Sequence, residues 1–125
     1  MDTTTTVIQV LVGLLFTSGG LLKLALPYAR FVKVPAQSWA NDFQPGQVRL
    51  IGVCEVCAAL GLIIPLLTNS LTTLMPFAAV GGALIMAGAM ATHLRRSEYP
   101  NMLGNLVWLG FALFVAYNRL PVLTV

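Results

Sequence analysis

The sequence predicts an all-α protein, a four-transmembrane-helix bundle with an interfacial segment between its first and second helices. Three observations carry this. Of the 125 residues, 58% are hydrophobic and only 9% charged, whereas soluble domains carry about 25% charged residues. Four apolar runs approach the length needed to cross a hydrocarbon core about 30 Å thick. No run alternates apolar and polar residues with period two, so helices rather than a barrel are expected to satisfy the backbone where water is absent. The length fits a single domain, 1–125.

The four runs extend from Val7 to Leu26, Val48 to Leu67, Leu71 to Leu94 and Met102 to Tyr117. The leading "MDTTTT" lacks positive charge, so the first run reads as a retained span and not as a cleaved secretory signal. The first link, "PYARFVKVPAQSWANDFQPGQ", is the only long one. Its Tyr28, Phe31, Trp39 and Phe43 suit the headgroup level, where aromatic side chains collect. Pro27, Pro35 and Pro45 punctuate it, and one short helix is expected near Ala36 to Phe43. The second link, "TNS", is a tight turn, and the third, "RRSEYPN", is short and charged.

Six of the seven basic residues, Lys23, Arg30, Lys33, Arg49, Arg95 and Arg96, border the first and third links; Arg119 alone falls at the other end. The positive-inside bias then places both links in the cytoplasm and both termini outside. The expected location is multi-pass, in a bacterial or archaeal inner (plasma) membrane. Basic residues spread along the edges of apolar runs do not make a nucleic-acid surface.

Polar residues inside the runs are few, and they share a depth. Glu55 lies about 10 Å and Lys23 about 6 Å from the cytoplasmic end at the standard helical rise. Asn105 lies at a similar depth in the fourth run, and His93 closes the third. No counterpart is expected in the opposite leaflet. Glu55 shares a stripe with Gly52, Ala58, Ala59 and Leu62, Lys23 with Phe16, Gly19 and Gly20, and His93 with Ala89 and Gly81. Small residues mark close packing in lipid, so the ionisable groups are expected to face inward. Ala79, Ala83, Ala87 and Ala91 are expected to form a close-contact seam. Glu55 needs a partner, water or a proton, and Lys23 and His93 are the candidates. Either the polar cluster only holds the helices together, or it is a ligand or proton-linked site made of Lys23, Glu55, His93 and Asn105, with Trp108 one turn from Asn105.

The C-E-V-C of Cys54 to Cys57 reads as packing among Gly52, Ala58 and Gly61. A redox C-x-x-C usually opens a helix beside a soluble βαβ pattern, and side chains three apart in a regular helix aim poorly for a disulfide. With a single His, no metal site is expected. No phosphate loop or Ser/His/Asp set is present.

Taken together, "SGGLLKL", "RLIGVCEVCAALGLIIP", "GALIMAGAMATHLRRSE" and the final helix ending "YNRL" resemble the DoxX-like family of small four-helix integral membrane proteins, nearly end to end. The carriers are Gly20 to Leu24, Gly52 to Glu55 and the helix-ending His93; Cys54 and Cys57 fall outside the pattern. The resemblance implies the fold directly and the chemistry weakly. It includes proteins linked to oxidative-stress complexes, a group forming the small subunit of thiosulfate:quinone oxidoreductases, and distant animal relatives that resemble assembly chaperones and cargo receptors. Two functions follow as expectations. One is a redox-linked accessory subunit with a quinone or lipid headgroup pocket in the cytoplasmic leaflet, no covalently bound cofactor and electrons supplied by a partner. The other is a structural or assembly subunit of a larger membrane protein complex, without chemistry of its own, contacting membrane lipids and no nucleic acid. No residue is assigned a catalytic role.

Overall fold

The computed structural model describes residues 2–35 and 37–124. The Asp2 carboxylate accepts from the backbone N–H groups of Thr4 at 3.2 Å and Thr5 at 3.3 Å. This side-chain cap satisfies two of the otherwise free helical donors. Helix α1 therefore starts a turn earlier than the apolar run, and covers Thr3–Ala25. The first link holds a single helical turn, α2 (Tyr28–Phe31), and a 3-10 turn at Ser38–Asp42. The latter falls within the expected 36–43 helix, whose first residue, Ala36, lies outside the described residues. Helix α3 covers Pro45–Thr68, with proline in its first turn where the missing N–H costs nothing.

The turn after α3 uses left-handed backbone at Asn69 (φ 49°) and Leu71 (φ 56°). Leu71 is thus spent on reversing the chain, and α4 begins three residues later than expected, covering Leu74–Arg95. Its end is a Schellman motif. The Ser97 N–H donates to the Leu94 carbonyl at 3.1 Å and the Glu98 N–H to the His93 carbonyl at 2.8 Å. Ser97 takes the left-handed position, φ 59°, where glycine is usual. Ser97→Gly is expected to raise stability by about 0.5–1 kcal/mol by relieving this conformation, read as a higher melting temperature. A fall would show that the serine side chain contributes more than its backbone costs. Helix α5 then covers Tyr99–Arg119, and a 3-10 turn follows at Leu120–Thr124.

All four long helices are long and apolar enough to cross a membrane. They pack as a ring in the order α1, α3, α4, α5, closed by contact between α5 and α1. The core joins Val12 and Phe16 of α1, Ala58, Ala59 and Leu62 of α3, Ala79 and Met86 of α4, and Val115 and Ala116 of α5. Leu14, Leu60, Leu84 and Leu113 are exposed on the outside, as expected of side chains that face lipid tails. Helices α1 and α3 touch backbone to backbone. A Cβ added to Gly20 would fall 2.8 Å from the Gly52 carbonyl and 3.1 Å from the Val56 nitrogen. Small residues permit this approach in lipid, where close packing replaces the hydrophobic effect between helices.

The alanine seam of α4 holds only in its first half. Ala79 and Ala83 are buried, but Ala87 and Ala91 are exposed. A four-residue step advances about 40° beyond a full turn, so three such steps rotate off the buried face.

Both links lie at one end of the bundle. Asp42 of the first pairs with Arg96 of the third at 2.8 Å and with Arg95 at 3.5 Å. The first link folds over that end on its own small core of Phe31, Ala40 and Val48. Phe31, Trp39 and Phe43 stack edge to face, with centroids 6.1 and 5.6 Å apart. The Tyr28 hydroxyl lies 2.9 Å from the Ala40 carbonyl and 2.7 Å from that of Phe43, within donating reach of either.

Candidate functional site

Beneath this aromatic cover, α1 and α3 bring together the two charges that the sequence places inside the span. Lys23 Nζ lies 2.7 Å from Glu55 Oε1, with the side chains only 10% and 6% exposed. The contact is an ion pair at hydrogen-bonding distance. The ammonium, which has three donors, also donates to the Gly19 carbonyl at 3.4 Å. It also lies 5.7 and 5.6 Å from the ring centroids of Phe31 and Trp39, a distance at which a cation is attracted to a ring face. Gly19 makes room for the carboxylate, since a Cβ there would fall 2.7 Å from Glu55 Oε2.

His93 has a different partner. Its Nδ1 lies 2.8 Å from Glu98 Oε1, a contact delivered by the Schellman turn that folds Glu98 back over the end of α4. Glu98 also reaches Arg96 Nε at 3.3 Å. The hydrogen bond from His93, seconded by Arg96, holds the Glu98 carboxyl below the usual carboxylate range. An ionised carboxylate only accepts, so the hydrogen of this contact sits on His93 Nδ1. The depressed Glu98 value sets a pH dependence. Its contribution to stability is complete above the ordinary value of 4.5 and is lost as pH falls through the lower folded value. The melting temperature should therefore fall in that acid window, and Glu98→Gln should flatten the fall. An unchanged acid limb in the variant would contradict the pairing.

Lys23, Glu55, His93, Asn105 and Trp108 line one cavity of about 800 Å³ between the four long helices and the first link. That volume is within the usual range for small-molecule sites. Trp39 and Asn101 line it as well. Among the described residues, no hydrogen bond engages the amide of Asn101 or Asn105. The cavity opens outward at Leu50, Cys54, Leu84 and Gly88, all exposed. A second cavity of about 730 Å³ follows the outer face of α3 and α4 towards Ile64 and Leu74, and shares Cys54, Leu84 and Ile85 with the first.

Glu98, Trp39 and Asn101 were not singled out from the sequence as site residues. Glu98 reads there as part of a charged turn, and only the left-handed Ser97 aims it at His93. The expectation of an empty opposite leaflet is also overturned. Thr5, Gln9 and Arg119 are buried at the other end of the bundle. Arg119 Nε donates to Gln9 Oε1 at 2.7 Å and Nη2 to Thr6 Oγ1 at 3.1 Å. The Gln9 amide donates to the Leu62 carbonyl at 2.7 Å. The cluster ties α1, α3 and α5 together. A lone Gln in an apolar run and a lone Arg at a chain end are each ordinary, and only their contact across 110 positions distinguishes them.

Cys54 and Cys57 are exposed free thiols, not packing residues within the bundle. At 100° per residue, neither shares the inward direction of Glu55. Replacing both with Ala should leave assembly and melting temperature unchanged. A failure to assemble, or an intramolecular bond found by mass spectrometry, would contradict this.

The family description that matches the chain is that of the DoxX-like family, over residues 7–115. No curated protein and no solved structure shows a match.

Proposed function

Since the chain belongs to the DoxX-like family, we propose that this small multi-pass membrane protein is an accessory subunit of a larger membrane complex, and that it holds a quinone or lipid headgroup in the cytoplasmic leaflet. The observation that carries the reading is the cavity itself. It gathers a buried ion pair, two uncommitted amides and both tryptophans of the chain in one place. In this reading Glu55 takes up or delivers the proton that accompanies reduction of a quinone. Asn105 donates to a ring carbonyl, since Lys23 is committed to Glu55 and His93 to Glu98. Trp108 flanks the ring. Electrons come from a partner protein. The cytoplasmic placement rests on the six basic residues at the end that carries both links.

The structural reading keeps support from one contact. The Lys23–Glu55 pair bridges α1 and α3 beside the Gly20–Gly52 approach, where a lock would act. Because both tryptophans line the cavity, intrinsic fluorescence reads its occupancy. Titration of the purified protein with a chain-bearing quinone should give saturable quenching and a higher melting temperature. Absence of both responses would leave the assembly role in place of the ligand role.

A further inference from the structure

Charge is unevenly matched at the end of the bundle that carries both links. Among the described residues, Asp42 pairs with Arg95 and Arg96, Glu98 with His93 and Arg96, and Glu55 with Lys23. Asp2, the remaining carboxylate side chain, caps α1 at the opposite end. Arg30, Lys33 and Arg49 are exposed. Every acidic side chain is thus committed elsewhere, and none among the described residues pairs with these three.

The fold gathers the three cations. The Lys33 N–H donates to the Arg30 carbonyl at 3.1 Å, so a single turn sets both side chains on one side of the first link. Phe31 and Val48 share the small core beneath that link. Their chain neighbours are Arg30 and Arg49, exposed beside it. Like charges so placed repel, and a bridging anion removes the repulsion. Leu21 and Leu50, at the same end of α1 and α3, are exposed to the surroundings of the bundle. The cations therefore border acyl chains, and the anion that meets them there is a lipid phosphate.

The same link covers the cavity. Gln37, Trp39 and Phe43 line the cavity from above, and the link is seated through Phe31, Ala40 and Val48. Lifting the link would carry Arg30 and Lys33 away from Arg49. An anion held by all three binds the seated link better than the lifted one, and a difference of that kind is what shifts a conformational balance.

We propose that Arg30, Lys33 and Arg49 form a docking surface for anionic lipid headgroups, and that lipid bound there holds the first link down over the cavity. An anionic leaflet attracts each basic side chain at its surface, and the attraction fades within a Debye length. The exposed leucines beside the cations set the surface at the level of the bilayer and favour lipid over an acidic protein.

The test uses the full chain in nanodiscs of phosphatidylcholine, with and without phosphatidylglycerol. Both leaflets then carry the anionic lipid, so the result does not depend on orientation. Amide hydrogen exchange of the first link is read against that of α4 and α5, which also reports whether each variant is folded. Phosphatidylglycerol should slow exchange in the link about tenfold, the order that one or two cations at an anionic surface supply. High salt should erase the difference. Arg49→Gln should reduce it, and the triple variant Arg30→Gln, Lys33→Gln and Arg49→Gln should abolish it. Equal exchange of the native link in the two discs overturns the proposal, as does a lipid effect that survives in the folded triple variant. Two soluble probes in neutral discs separate the sources of anion. Protection by poly-glutamate without protection by phosphatidylglycerol would assign the surface to an acidic protein and overturn the proposal. Equal protection by inorganic phosphate would assign it to a free anion, with the same consequence. No cavity ligand is needed for this readout, so the result stands apart from the ligand role proposed above.

Discussion

Glu55→Gln is expected to lower the stability of the purified protein by about 2 kcal/mol. Breaking one partner of a buried pair costs about 3–5 kcal/mol in soluble proteins, and a transmembrane side-chain hydrogen bond is worth about 0.6 kcal/mol. The pair stands at the wall of an open cavity, where water reaches the stranded ammonium, so the loss should fall between these limits. Two double variants sharpen the test. Lys23→Met with Glu55→Gln removes both charges and should restore most of the stability, because a neutral replacement of a buried pair is often tolerated. Lys23→Glu with Glu55→Lys keeps a pair but should recover less. Its carboxylate would face the rings of Phe31 and Trp39, which now lie 5.7 and 5.6 Å from the ammonium, and ring faces carry negative charge density. Equal recovery in both double variants would show that the aromatic cover contributes nothing to holding Lys23. Melting curves of the four proteins, with and without ligand, separate the lock from the site: a lock recovers in the neutral variant, and ligand binding does not.

Gly20→Ala should be the most damaging of the conservative substitutions, at about 3 kcal/mol, the upper part of the usual range for overpacking. The added methyl would meet the Gly52 carbonyl at 2.8 Å and the Val56 nitrogen at 3.1 Å. Both are backbone atoms of α3, so no rotamer change relieves the contact, and the two helices must part. Parting them also separates Lys23 from Glu55, and the variant should lose its ligand response together with its stability. Gly110→Ala is the control. A Cβ there meets nothing within 4 Å, and the better helix former should stabilise by up to about 1 kcal/mol. If both alanines behave alike, the α1–α3 approach is looser than the structure indicates.

Much of the molecule is written in local composition. Runs of about twenty apolar residues become spanning helices whatever their neighbours are, because the backbone has no other way to satisfy itself in hydrocarbon. The inward direction of Glu55 followed from its stripe. Gly52, Ala58, Ala59 and Leu62 are all buried with it, since helical period alone fixes which residues share a face. Residue type also carried the resemblance to the DoxX-like family, which the match over residues 7–115 bears out.

Tertiary structure decided which groups meet. The sequence offered Lys23 and His93 equally as partners for Glu55. The choice fell to Lys23 because α1 and α3 touch at Gly20 and Gly52, while the left-handed turn at Ser97 hands His93 to Glu98. The Arg119–Gln9 contact joins opposite ends of the chain, and the exposed lower half of the alanine seam reflects a helical drift that matters only once a neighbour's width is known. Periodicity fixes a direction around one helix axis. The distance and rotation of the next helix are set by the smallest residues at each crossing and by the turns that join the helices, and these terms couple residues far apart in the chain.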